Sequence, residues 1–287
     1  MPSVVPAPLA SIAERLQCPA CCGSLAPGSG SLICPRGHSF DVARQGYVTL
    51  QAPARRRAAG DDRVMVAARA AVQEAGHFAP LTTALVAMAL EVDDGPSPVV
   101  LDVGAGTGHH LAGVLGGLAR GRGIALDASA AASRRAARAH PGIASVRADV
   151  WRHIPLGDAA VDLALSVFAP RNGPELARVL RPGGALIVVT PAPEHLAELA
   201  ALHGVRVDPF KAERLDRQLG PALRLGGVRR IAWTLRVTRD EAEAVMRMGP
   251  AGRHLRPDMP RRLASMSEPM GVTAAIELRT FRRTAGP

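Results

Sequence analysis

The sequence predicts an α/β chain, a doubly wound parallel sheet with a small metal-stabilised module ahead of it, and three stretches predict it. Val99-Val100-Leu101-Asp102-Val103 is an apolar, β-branched run that passes into Gly104-Ala105-Gly106-Thr107-Gly108 and then a helix-competent segment, His109 to Arg120. Downstream, short apolar runs alternate with helical segments, the order that builds a parallel sheet. Upstream, all four cysteines crowd between residues 18 and 34.

From the N-terminus, residues 1–17 hold three prolines and no clear periodicity, and read as a flexible tail. Cys18, Cys21, Cys34 and His38 follow with the spacing C-x2-C-x12-C-x3-H, with Gly37 where the second knuckle turns. Three thiolates and one imidazole suit tetrahedral Zn2+, and a segment of this length, residues 18–50, needs an ion to fold. Four protein ligands leave no open position for water, so the zinc is structural. Cys22 competes with Cys21 for the metal, and the two-residue gap after Cys18 favours Cys21. Gly46 to Leu50 reads as a last strand off this ribbon.

Residues 51–63 lose all pattern and read as a basic linker, in which Arg55, Arg56 and Arg57 suit phosphate contacts. Residues 64–287 are the main domain. Asp61 and Asp62 are placed to cap a helix over Val64 to Ala75, and a second helix spans Leu81 to Glu91. After Val99–Val103, strands are expected at Gly123–Leu126, Ala144–Arg147, Val161–Phe168 and Ala185–Thr190. Helices at Ala130–His140 and Glu175–Leu180 lie between them. Pro191 to Val228 is mixed; strands at Ile231–Val237 and Ala274–Phe281 flank a helix at Arg239–Met248.

The glycine spacing indicates the ligand. A dinucleotide fingerprint G-x-G-x-x-G needs its third glycine at position 109, which is His109. Alternating Gly104, Gly106 and Gly108 beside the strand-end carboxylate Asp102 suit S-adenosylmethionine better than NAD, since that donor has a cationic sulfonium and no pyrophosphate. Asp127 closes the next strand where an acidic side chain meets ribose hydroxyls, and Asp149 ends the third strand beside the adenine. The class expected is therefore a Rossmann-like class I S-adenosylmethionine-dependent methyltransferase fold with an N-terminal zinc ribbon.

Charge narrows the partner. The net charge is +10 and the sequence pI about 11.0. Lys211 is the only lysine, so 34 of the 35 basic residues are arginine. Genomic bias explains arginine replacing lysine but not the excess over acidic residues, so a nucleic acid is the favoured partner. With 47% hydrophobic residues and no apolar run of transmembrane length or signal-like N-terminus, a soluble cytoplasmic protein with no membrane partner is expected.

Cys18 to His38, Phe40-Asp41, Gly46-Tyr47-Val48, Ala75-Gly76-His77-Phe78, Leu101 to Gly104, Phe168-Ala169-Pro170, Leu176 to Gly184 and Thr190 to Leu196 together resemble the RlmA family of 23S rRNA guanine-N1 methyltransferases. The Arg- and Ala-rich composition resembles its actinobacterial branch, which includes tylosin-resistance enzymes. The resemblance implies a 23S rRNA hairpin as substrate, a possible part in macrolide resistance, and a homodimer. It also implies that Phe78, the Gly106-Thr107 turn and His195 contact the methyl donor, although a relative in the family has tyrosine where this chain has Phe78. Enzymes acting on exocyclic amines place Asn or Asp after the fourth strand. Phe168-Ala169-Pro170 has neither, so a ring nitrogen is the expected acceptor, with Phe168 and Pro170 positioning the base. A small-molecule methyltransferase with a structural zinc module and a non-catalytic rRNA-binding assembly factor are the alternatives.

Overall fold

The computed structural model describes residues 4–51, 60–92, 95–203, 219–249, 252, 255 and 257–284. Arg55, Arg56 and Arg57 lie outside the described residues. At the centre is β5 (Val99–Val103), every residue of which is buried. Val99, Leu101 and Val103 join the apolar cluster on one face and Val100 the cluster on the other, as alternation along a doubly covered strand requires.

Parallel to β5 on one side stand β6 (Arg122–Asp127), β7 (Ile143–Arg147) and β4 (Tyr47–Thr49), and on the other β8 (Val161–Val167) and β9 (Leu180–Pro191). Antiparallel to β9 runs β11 (Met270–Arg283), which pairs antiparallel with β10 (Leu223–Val237). The eight-stranded order is β10-β11-β9-β8-β5-β6-β7-β4. Because β6 and β8 flank β5 on opposite sides, the winding reverses there and a crevice opens at the carboxyl ends of these strands. Over one face lie α2 (Arg63–Glu74), α3 (Ala79–Val92), α4 (His109–Gly117) and α8 (Arg239–Arg247). Against β6 and β7 packs α5 (Ala130–Ala139), and α6 (Gly173–Val179) sits under the opposite face. Asp62 caps α2 by accepting from Met65 N at 2.9 Å. No single described helix is long and apolar enough to cross a membrane.

The structure corrects three expectations. Residues 7–15 are not a loose tail: α1 (Ala7–Ile12) and a 3-10 turn bury Leu9, Ile12 and Leu16 fully. Their spacing of three and four residues is the one-sided pattern of a helix, broken up to the eye by Pro6 and Pro8, which sit harmlessly at the helix start. Gly46 to Leu50 does not belong to the ribbon's own sheet of β1 (Ala26–Pro27), β2 (Ser31–Ile33) and β3 (Ser39–Asp41); as β4 it extends the main sheet beside β7. The fifth strand does not begin at Ala185: Arg181 to Gly184 is already a bulged part of β9, with Gly183 at φ +75°. Two short helices, α7 (Ala197–His203) and α9 (Met259–Ala264), lie in stretches where no helix is expected.

Candidate donor and zinc sites

The ribbon brings its predicted ligands together. Cys18 Sγ and Cys34 Sγ stand 3.5 and 3.3 Å from His38 Nδ1, and Cys21 Sγ stands 3.6 Å from Cys34 Sγ. A tetrahedral zinc with Zn–S of about 2.3 Å and Zn–N of about 2.0 Å has edges of roughly 3.5 to 3.8 Å, so the four atoms already describe its corners. Burial raises the Cys34 thiol, but the N–H groups of His38 and Arg36 and the Cys21 and His38 side chains outweigh it and bring it down to about 6. A thiolate at neutral pH is what the metal needs. Gly37, at φ +81°, makes the knuckle turn, and Cys22 points outward, exposed and outside the cluster. The Cys3His set is a structural zinc site.

At the crevice lies a cavity of about 590 Å3. Its floor is the glycine turn. Gly104 has φ +68°, and a Cβ there falls 2.6 Å from the Cβ of Ala169, so backbone alone fits between β5 and the loop after β8. Gly106 N donates to Asp127 Oδ2 at 2.9 Å and Ser129 N to Oδ1 at 2.7 Å, which pins Asp127 across the turn. Asp102 is buried in the cavity wall, and its Oδ1 is sealed with no hydrogen-bond partner among the described residues. Burial first, and the Asp127 charge second, raise its carboxyl well above 3.8. A buried acid and bare glycine backbone lining one cavity fit a cationic ligand with an amino-acid tail, as S-adenosylmethionine has. Asp149 also lines the cavity, accepting from Trp151 N at 3.0 Å.

Opposite the turn, aromatic rings converge. Phe78 is buried and meets Trp233 edge-on at 5.9 Å between centroids and Phe168 at 6.5 Å. His195 stacks on Phe168 at 5.6 Å, and its Nδ1 accepts from Ala275 N at 3.2 Å, which leaves the proton of the neutral ring on Nε2. Phe168 is held at φ +53°, a conformation that costs a bulky residue about 1 to 3 kcal/mol, and its ring is 41% exposed at the cavity. Pro170 lines the same wall, and Trp151, 58% exposed, stands at the rim.

Phe78, Asp102, Gly104, Gly106, Asp127, Asp149, Phe168, Pro170 and His195 therefore share one cavity. Thr107 and Gly108 do not line it. Thr107 Oγ1 donates to Gln73 Oε1 at 2.6 Å on α2, and Gly108 caps α4 against Ala136 of α5, so both brace the turn from behind. Sequence reasoning missed the α2 stripe Met65, Arg69, Gln73, which lines the cavity at intervals of four residues. Arg69 pairs with Asp61 at 2.5 Å and donates to Met248 O at 2.7 Å, joining α2 to α8. The four-residue interval was visible, but a helix ahead of the sheet reads as core. His110 also lines the cavity and is half-buried; desolvation, then His109 and Arg69, push it down to about 3, and its Nδ1 meets Thr82 Oγ1 at 2.9 Å.

Comparison with known proteins agrees with this geometry. Residues 16–57 match the family described as RlmA, N-terminal, and residues 100–184 the family described as Methyltransferase domain. The chain is 46% identical over 275 residues to the 23S rRNA (guanine(748)-N(1))-methyltransferase of Streptomyces fradiae, covering 95% of this chain and 98% of that protein. It is 44% identical to a putative 23S rRNA (guanine-N(1)-)-methyltransferase of Micromonospora griseorubida, covering 93% and 97%. Among solved structures, the YcgJ protein of Bacillus subtilis matches in fold with a TM-score of 0.51 at 15% identity, covering 70% of this chain and 98% of that one.

Proposed function

This chain belongs to the family of 23S rRNA (guanine-N1)-methyltransferases, and from that premise we propose that it moves a methyl group from S-adenosylmethionine to N1 of a guanine in a 23S rRNA hairpin. The observation that carries the reading is the single cavity, which joins a glycine turn and an orphaned Asp102 to an acceptor wall built from Phe168, Ala169 and Pro170. The Streptomyces relative is named for guanine 748, and coverage of nearly its whole length makes the equivalent guanine the acceptor proposed here.

When bound, the donor would supply a methyl carbon on a cationic sulfur that keeps the electron pair of the broken bond, while N1 takes the methyl and gives its proton to solvent water. The chain's own part is orientation and charge. Asp102 and the bare backbone of Gly104 and Gly106 fix the donor end, while Asp127 and Asp149 face the ribose and adenine. Phe168, presented by its strained backbone and backed by His195, offers a face on which an extruded guanine stacks. With no carboxylate or amide in Phe168-Ala169-Pro170 to hold an exocyclic amine, the ring nitrogen is the acceptor. Arg55, Arg56 and Arg57 are proposed to contact phosphates of the hairpin, and two chains are proposed to share one RNA in a cytoplasmic homodimer. Light scattering with and without the hairpin tests the dimer.

For the reaction, 23S rRNA lacking the modification is incubated with the enzyme and methyl-labelled donor, then digested to nucleosides. Label in 1-methylguanosine is the expected result. Label on the exocyclic amine overturns the N1 assignment, and label only in small molecules overturns the rRNA reading.

A further inference from the structure

Arg171 follows Pro170 in the loop from β8 to α6. Its side chain is only 8% exposed, yet among the described residues it makes no hydrogen bond and no ion pair, and its Nε is sealed from solvent without a partner. Nearby Arg178 shows how this chain ordinarily treats a half-buried guanidinium: it binds Glu175 and Asp158 and donates to the carbonyls of Ile154 and Leu156. An unpaired buried cation costs stability, and burial alone lowers the Arg171 pKa without discharging a group that stays protonated in proteins. A fold that keeps such a charge beside its acceptor wall holds it for an anion that arrives from outside.

The surroundings indicate which anion. Phe168, Ala169 and Pro170 line the cavity and Arg171, the next residue of the same loop, does not. Asn172 Nδ2 donates to Arg152 O at 3.3 Å, tying this loop to the segment that carries the exposed Trp151. Two exposed aromatic residues, Phe168 and Trp151, thus line the cavity, and Arg171 follows its Phe168-Ala169-Pro170 wall in the chain. A base drawn out of a hairpin enters between such rings and leaves its own phosphates at the rim.

We propose that Arg171 is a phosphate contact for the acceptor nucleotide, a guanidinium fork that grips the RNA backbone next to the extruded guanine and sets its depth in the cavity. This rests on the rRNA reading above. Arginine suits the task because its planar fork meets two phosphate oxygens at once.

Arg171→Met keeps the length and removes the charge; Arg171→Lys keeps the charge and removes the fork. With a 23S rRNA hairpin titrated across a series of KCl concentrations, Arg171→Met is expected to lose tenfold or more in RNA affinity. The slope of log affinity against log salt should fall by about 0.7 to 0.9, one phosphate's worth. Donor affinity should be unchanged and the melting temperature equal or higher, since an uncompensated charge has gone, and the KM for RNA should rise more than kcat falls. Arg171→Lys should recover part of the affinity. Unchanged RNA affinity and slope in Arg171→Met overturn the proposal, as does a lowered melting temperature together with lost donor affinity, which marks a structural prop. Wild-type enzyme that neither binds nor methylates the hairpin removes the rRNA reading itself. Wild-type activity matched by Arg171→Met removes the Arg171 role alone.

Discussion

Asp102 is the residue at which folding and function pull in opposite directions. Its folded-state pKa lies above 3.8 because it is buried beside Asp127, so between 3.8 and that raised value the native chain holds a proton that the unfolded chain releases. Its contribution to stability therefore declines as pH rises from 3.8 towards the raised value. Asp102→Asn removes that burden and is expected to melt higher than wild type at pH 7, with a flatter pH dependence in scanning calorimetry. The same change removes the carboxyl group that a bound cationic donor is proposed to ionise and pair with. A charge-assisted hydrogen bond contributes about 1.5 to 3 kcal/mol, so donor affinity should fall roughly tenfold to a hundredfold by titration calorimetry. Undiminished affinity places the donor elsewhere. Gly106 carries a second prediction. At φ +56°, with the site of a Cβ 3.0 Å from Arg69 Nη1, a branched side chain has neither the backbone conformation nor the space. Gly106→Val should abolish donor binding while metal analysis still finds zinc. These residues were legible in the sequence because the chemistry needs those residue types at that spacing. Arg69, Trp151 and Arg171 were not, because an arginine or tryptophan acquires its role from what the fold leaves exposed or unpaired beside it.

Among the elements, the ribbon departs furthest from its expected independence. Cys18, Leu25, Leu32 and Cys34 belong to the same apolar cluster as Ile124 and Val146 of the main sheet, and β4 carries the chain from ribbon to sheet edge. Zinc therefore holds part of one face of the whole domain. One zinc per chain is expected by metal analysis, and Cys34→Ser or stripping by a strong chelator should lower the main melting transition rather than remove a separate small one. A zinc-free protein with an unchanged transition contradicts this. The central strands were readable since parallel strands covered on both faces are nearly continuous apolar runs. The departure of β4 from the ribbon was not, because three residues, Tyr47-Val48-Thr49, pair equally well with either neighbour in pattern, and only packing against β7 decides. The helix α1 was hidden for a different reason: two apolar turns flanked by prolines carry too little periodicity to stand out from a tail.

Across the whole molecule, the strand order places the glycine turn at the winding reversal beside β5 and brings the loop after β8 against it, around one cavity. The residues proposed for the two halves of the transfer thus line one cavity. The glycine turn and the alternation of strands made this architecture legible from the start. The closure of the cavity by α2 and α8 through Arg69 and Met248 depends on contacts between residues 179 positions apart, which no local pattern encodes. The central claim is methylation of guanine N1, and reverse transcription reads it most directly, because a methyl there blocks the Watson–Crick edge. Unmodified 23S rRNA incubated with wild-type enzyme and donor should give a primer-extension stop one nucleotide before a single hairpin guanine, absent with Gly106→Val. Full read-through on rRNA that has nevertheless taken up labelled methyl would contradict the account.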